Sequence, residues 1–238
     1  MNINILLPVL NEELRLEDGV VKSVKYFEKN FSGQYEINIM DNGSTDKTEA
    51  ISRKLEKRFN SVHYNKLNQR GVGLALREGI IENKCDIVGY FDVDLSTDMD
   101  YILKMYNIFL EYPEIGIVNG TRNSVGSKVI GRKFIRTITS HGLKMILHLL
   151  LGSQINDALC GFKFFRKDVA NMLVKKASQI NGWFYCGELL LRAEKYGIKI
   201  CELPVTWTDD YNSKVNIPKL IFEYMQQIFK LFYEFKIK

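Results

Sequence analysis

Apolar and polar positions along the first half of the chain alternate between strand-like and helix-like spacing. Residues 3–7 are a short, mainly aliphatic run broken by Pro8 and read as a buried strand. Residues 12–30 read as a helix. The alternation continues with strand 37–40, helix 47–59, strand 62–65, helix 71–83, strand 87–91, helix 98–111 and strand 115–119. Asp46, with Glu49 three residues on, is the expected N-cap of the second helix. Such alternation predicts an α/β fold, a mostly parallel sheet with helices on both faces. The second half is less regular. It predicts one or two basic-apolar helices over 128–151, a strand over 161–166, a helix from Asp168, a helix over 186–196 and a strand over 199–205.

The last segment, 217–238, has a different pattern. Its polar residues Lys219, Glu223, Gln226, Gln227, Lys230 and Glu234 fall on one narrow helical stripe, and aromatic and aliphatic residues fill the wide remaining arc. It is too polar to span a bilayer, but suits a membrane interface, the protein core or another subunit. Residues 1–216 are expected to form one domain, with 217–238 as an appended amphipathic helix.

Composition adds little: 46% apolar and 26% charged residues are ordinary for a soluble globular protein. The distribution of the +5 net charge says more. No acid occurs between Glu114 and Asp157, while Arg122, Lys128, Arg132, Lys133, Arg136 and Lys144 fall in that interval. Such a stretch suits phosphate groups or anionic lipid, unless it is simply a solvated basic face. No helix-turn-helix, zinc-finger or RNP-like signature accompanies it, so nucleic acid is not an expected partner. The four cysteines form no C-x-x-C pair, the three histidines show no metal-ligand spacing, and the N-terminus does not read as a signal peptide.

The chemistry centres on Asp92 and Asp94, one residue apart at the end of strand 87–91. Open α/β sheets bind ligands at the carboxyl ends of their strands. Paired carboxylates there suit Mg²⁺ or Mn²⁺ shared with substrate phosphates, although an acidic strand exit would look the same. Asp41, at the end of another strand, can accept a hydrogen bond from a base or a ribose hydroxyl, or form an Asx turn. Asn68-Gln-Arg-Gly-Val-Gly73, with Asn68 and Arg70, opens a helix in the manner of a phosphate loop. It is neither G-x-G-x-x-G nor Walker A.

Taken in order, several segments resemble the family 2 glycosyltransferases, and within them the polyprenyl-phosphate branch of dolichyl-phosphate mannose synthases and glucosyltransferases. They are Leu7-Pro-Val-Leu-Asn-Glu-Glu13, Asp41-Asn-Gly-Ser-Thr-Asp46, Asn68 to Gly73, Asp92-Val-Asp-Leu-Ser96, Gly120-Thr-Arg122, Asp157 to Arg166, Glu188-Leu-Leu and Leu203-Pro-Val-Thr-Trp207. The resemblance implies a GT-A fold. Pro8, Leu10, Glu12, Ile39 and Asp41 would line the nucleoside pocket. Val93 would lie at the diphosphate, Asp92 and Asp94 would hold Mg²⁺ or Mn²⁺, and Ser96 would stand where some relatives supply a further metal ligand. Arg122, Arg136 and Ser140 would meet the acceptor phosphate, with Lys163 and Lys214 as further phosphate contacts. Departures from the family pattern fall at Leu10, Asn42, Cys186, Asp209 and Asp210.

The implied activity is inverting transfer of a sugar from a UDP- or GDP-linked donor to a polyprenyl phosphate. The enzyme would be peripheral on the cytoplasmic face of a membrane, and could form homo-oligomers. The alternative is transfer to a sugar hydroxyl in surface-polysaccharide synthesis. That reaction needs a carboxylate base, for which Asp157 and Glu188 are the candidates.

Overall fold

The computed structural model describes residues 1–132, 134–209 and 217–237. Its centre is a seven-stranded sheet in the order β3-β2-β1-β4-β7-β5-β8. The strands are β1 (Ile3–Val9), β2 (Tyr35–Asp41), β3 (Val62–Lys66), β4 (Ile87–Phe91), β5 (Ile115–Thr121), β7 (Phe162–Arg166) and β8 (Lys199–Pro204). All pairings are parallel except those of β7, which runs antiparallel between β4 and β5. This reversal places the start of β7 beside the carboxyl ends of β4 and β5.

Two apolar layers cover the sheet. Ile3, Ile5, Leu7 and Val9 of β1 point into one, with Val20, Val24 and Phe27 of α1 (Leu16–Asn30), Leu55 of α2 (Thr48–Arg58), and Ile102, Met105 and Phe109 of α4 (Asp100–Glu111). The period-two alternation of β1 sends Leu6 to the other layer. There it meets α3 (Val72–Ile81), α6 (Lys167–Lys176) and α7 (Phe184–Lys195). Leu147 of α5 (Phe134–Leu151) and Tyr224, Ile228 and Leu231 of α8 (Ile217–Ile237) complete that layer.

Several boundaries differ from the sequence expectation, for identifiable reasons. The first helix begins at Leu16 rather than residue 12, because the segment before it is stapled to the loop after β2. Asn11 N–H donates to Ser44 Oγ (2.9 Å), Glu12 N–H to Thr48 Oγ1 (2.8 Å) and Glu13 N–H to Asp46 Oδ2 (3.1 Å). β1 continues past Pro8, which lies beyond the β1–β4 ladder ending at Leu6 and Tyr90, so the missing N–H costs little. Asp46 accepts from Thr48 N–H (2.9 Å), but Glu49 turns outward to Lys66 and Arg53, so no capping box forms.

The expected helix over 128–151 is divided. Residues Lys128–Ile130 form β6, paired in parallel with β9 (Thr206–Thr208), and the helix starts only at Phe134. Gly131, at φ 73°, makes the break in a conformation that favours glycine.

The terminal helix α8 is docked on the second layer. Arg192 of α7 donates through both terminal nitrogens to Glu234 (2.9 and 2.8 Å). No helix among the described residues is long and apolar enough to cross a membrane.

Candidate active site

The carboxyl ends of β1, β2, β4, β5 and β8 and the start of β7 share one edge of the sheet. Asp92 and Asp94 leave β4 at its centre. Asp92 packs against Gly161, whose chain runs into β7; a Cβ there would lie 2.1 Å from Asp92 Oδ2. Burial and the neighbouring charge of Asp94 push the Asp92 carboxyl up to about 7, against the opposing pull of Arg122 and Lys163. Asp94 is more open. Ser96 donates to it through Oγ (2.7 Å) and backbone N–H (3.0 Å), and Arg15 Nη1 lies 3.5 Å from its other oxygen. Val93 turns its side chain into the core, and its carbonyl sits where a Cβ on Gly19 would be 2.0 Å away. Helix α1 can therefore press directly onto the aspartate loop.

Among the described residues, no third His, Cys, Asp or Glu completes a protein-only metal cluster. Two carboxylates on an open strand end nevertheless fit Mg²⁺ or Mn²⁺, which keep water and share substrate phosphates. The donor set is all oxygen, as hard cations require.

On the β1–β2 side, Asp41 is fully buried. Its oxygens accept from Ser44 N–H and the Tyr64 hydroxyl, each at 2.8 Å. Asn42 beside it is buried and its Oδ1 has no hydrogen-bond partner. Pro8, Leu10 and Glu12 are half-buried along this rim, whereas the Ile39 side chain belongs to the core. Glu12 pairs with Arg15 (2.8 Å), which links this rim to Asp94. Asn68 and Arg70 are exposed.

The glycines of the 68–73 loop serve packing rather than an open phosphate cradle. Gly73 N–H donates to Asn181 O (2.8 Å), and a Cβ on Gly73 would meet Ile180 O at 2.7 Å. Arg77 Nη1 and Nη2 close the same junction through Ile180 O (3.2 Å) and Asn181 Oδ1 (3.0 Å).

On the β5 side, Arg122 stacks over Trp207 (4.8 Å) and is held edge-on by Asp157. Burial pushes the Asp157 carboxyl up, but the charge and hydrogen bonds of Arg122 outweigh it and keep the group below its ordinary value. Trp207 lies on β9 and bridges to Thr97, so the aspartate loop and the arginine cluster share one scaffold. Arg136 Nη1 lies 3.4 Å from Asp209 Oδ2, and Asp209 Oδ1 accepts from Trp207 Nε1 (2.7 Å). Arg132 donates to Arg136 O (3.2 Å), leaving its buried Nε without a partner. Ser140 Oγ accepts from Asn123 (2.9 Å). The structure thus gathers Arg122, Arg136 and Ser140 into one region.

Lys163 is fully buried beneath them, with Nζ on Cys160 O, and burial lowers its pKa. It acts from below on Asp92 and Asp157 instead of facing a ligand. Lys214 and Asp210 lie outside the described residues.

Sequence reasoning missed Arg15 and the role of Gly161, and placed Arg132 only within the basic stretch. Only the i,i+3 spacing of Glu12 and Arg15 could have signalled the first. Glu188, a candidate base, is fully engaged: Ser178 N–H (2.8 Å), Ser178 Oγ and Arg192 Nε (2.7 Å) all donate to it. Burial raises the Cys160 thiol to about 12 and the Cys85 thiol to about 11, so neither supplies a nucleophile at neutral pH.

Sheet order, carboxylate pair and arginine cluster together define a glycosyltransferase of the GT-A architecture. Residues 4–173 match the family model for Glycosyl transferase family 2, and the chain belongs to that family. It is 29% identical to dolichyl-phosphate beta-glucosyltransferase of Dictyostelium discoideum, over 96% of this chain and 76% of that protein. The corresponding human protein is 28% identical, over 90% of this chain and 69% of its own length. Glycosyltransferase AglD of Haloferax volcanii is 26% identical over the whole of this chain, which spans 38% of it. Glucosyl-3-phosphoglycerate synthase from Mycobacterium tuberculosis, solved with uridine diphosphate, shares the fold with a TM-score of 0.69 at 19% identity, covering 98% of this chain and 79% of that one. The same synthase has been solved with Mn²⁺ and UDP-glucose, with a TM-score of 0.68 at 19% identity, covering 98% of this chain and 79% of that one.

Proposed function

We propose that the protein transfers a hexose from a nucleotide-diphosphate sugar, with UDP-glucose the favoured donor, to a polyprenyl phosphate at the cytoplasmic face of a membrane. Two of the relatives named above are dolichyl-phosphate beta-glucosyltransferases, which favours that acceptor class and glucose as the sugar. Residues 1–216 serve as the catalytic domain and 217–238 as an appended helix.

The observation that supports this reading most is the state of the two candidate bases. A sugar hydroxyl must lose a proton as it attacks, so it needs a free carboxylate nearby. Asp157 is saturated by Arg122, and Glu188 by Arg192 and Ser178. A phosphate monoester, with a second pKa of about 6, is already ionised and needs no base.

The reaction is then a displacement at the anomeric carbon. An acceptor phosphate oxygen forms the new bond to C1 as the bond from C1 to the donor's diphosphate oxygen breaks. The electron pair leaves with the diphosphate, no proton moves, and attack from the opposite face inverts the centre. Asp92 and Asp94 would hold Mg²⁺ or Mn²⁺, which when bound would supply charge neutralisation for the leaving diphosphate. Arg136 and Ser140 hold the acceptor phosphate, and Arg122, fixed by Asp157, adds a preorganised positive field that costs no reorganisation. Asp41, with Tyr64, shapes the nucleoside rim.

The test is transfer of labelled sugar from a panel of UDP- and GDP-sugars to polyprenyl phosphate in detergent. Metal-dependent label in the organic phase, abolished in Asp94→Asn, is the expected result. Transfer to a soluble glycan with no lipid product would overturn the acceptor assignment.

A further inference from the structure

Helix α5 has two opposed faces. Its inner face buries Leu147 and carries Arg136 and Ser140 toward the arginine cluster. Its outer face carries Phe134, Ile138, Met145 and Leu149, which at 3.6 residues per turn fall within an arc of about 60°. They are exposed: Phe134 by 78%, Met145 by 60% and Leu149 by 71%. An apolar stripe on a helix facing water, crossed in its middle turn by His141 and Gly142, is the mark of an interaction surface. Helix α8 packs alongside in the same apolar layer and exposes Phe222, Phe229 and Tyr233.

We propose that the outer face of α5 is a bilayer-docking surface, entering the headgroup boundary of an anionic membrane with the exposed aromatics of α8 beside it. This rests on the acceptor reading given above and locates the membrane contact mainly on α5. The sequence pattern points instead to 217–238, but the structure spends the inner face of α8 on the core through Tyr224, Ile228 and Leu231.

Two observations select a lipid surface over a protein partner. The chain has no acid from residue 115 to residue 156; Lys128 and Arg132 lie just before α5 and Lys144 on its flank, while Arg136 stays on the inner face. Basic residues around an apolar stripe suit an anionic leaflet. The residues proposed to hold the acceptor phosphate also lie on the same helix as the stripe, within one helix diameter of about 10 Å. Seating the stripe in the headgroup layer puts those residues at the depth of a lipid phosphate, so the isoprenoid chain need not leave the bilayer.

The experiment uses the full chain, with flotation on phosphatidylcholine vesicles with and without phosphatidylglycerol, and the double variant Met145→Glu with Leu149→Glu. Both positions are exposed, so the fold should tolerate the changes. The wild type should float, more strongly with phosphatidylglycerol, and the variant should lose partitioning by about tenfold or more. Transfer to a water-soluble short-chain prenyl phosphate should be unchanged, while transfer to long-chain acceptor in vesicles should fall with flotation. Equal flotation of the two proteins overturns the proposal, as does equal loss of both transfer activities. A wild-type dimer that the variant makes monomeric, with no vesicle binding by either, assigns the face to a second copy and also overturns it. Stripe-dependent flotation with transfer to neither acceptor supports docking and overturns the acceptor reading instead.

Discussion

Arg122 and Asp157 are joined edge to edge: Nε donates to Oδ2 at 2.7 Å, Nη2 to Oδ1 at 3.0 Å, and the Arg122 backbone N–H to Oδ2 at 3.0 Å. Both side chains are largely out of water. Removing one member of such a pair leaves the other charge buried without its partner, at a cost of about 3–5 kcal/mol. Asp157→Ala should therefore lower the melting temperature by about 10 °C in a chain of this size. A drop of less than about 2 °C in calorimetry would show that solvent or another group replaces the carboxylate.

The same pair sets a pH dependence. The folded-state pKa of Asp157 is lowered from 3.8, so its contribution is fully present above the unfolded value and is lost as pH falls through the folded one. Arg122 and Lys163 are the cations facing it. Wild-type stability should fall as pH drops below about 4, and Asp157→Asn should flatten that part of the curve. Parallel denaturant titrations of the two proteins give the comparison; superimposable slopes would refute the assignment.

The alternating order of strands and helices, the buried runs at β1 and β4, and the aspartate pair were legible in the sequence because each is a local pattern. The antiparallel insertion of β7 was not, since the five-residue run Phe-Lys-Phe-Phe-Arg carries no sign of its direction. β6 was missed because Lys128–Ile130 gains its partner only from β9, far along the chain. Arg122, Arg136 and Ser140 could be named from motif order, but the ties of Arg122 to Asp157 and of Arg136 to Asp209 depend on loops that meet only in three dimensions. The 68–73 glycines invited a phosphate-loop reading because close packing and phosphate approach both require a missing Cβ. Only Asn181, distant in sequence, decides between them.

Two glycines set the position of the aspartate pair. A Cβ on Gly19 would press on Val93 O, and one on Gly161 would press on Asp92 Oδ2. Backbone cannot yield as a flexible side chain can, so Gly19→Ala should cost about 1–3 kcal/mol through overpacking. Gly161→Ala meets a carboxylate that can rotate, so its stability cost should be smaller, but Asp92 must leave its place. The expected signature is weakened Mn²⁺ and UDP binding in Gly161→Ala, read by calorimetric titration, with near-native melting. Unchanged metal-dependent nucleotide affinity would mean that Asp92 does not need its position against Gly161.

Glu188 separates the two acceptor chemistries. It is buried on α7, accepts from both donors of Ser178, and shares Arg192 with Glu234 of α8. In this setting it is a strut, joining the segment before α7 to the terminal helix. Glu188→Gln keeps the size and one good acceptor but removes the charge facing Arg192, a loss of about 1–3 kcal/mol in stability. Its kcat at a temperature where the variant is folded should stay within about twofold of wild type, because typical general-base losses of 10²–10⁴ do not apply to a strut. Arg192→Met should share the stability loss and loosen α8, visible as faster amide exchange in residues 220–236. A fall in kcat of about a hundredfold or more in Glu188→Gln, with melting preserved and the alkaline limb of the pH profile unaltered, would instead make Glu188 the base for a hydroxyl acceptor. That outcome would return the enzyme to polysaccharide chemistry.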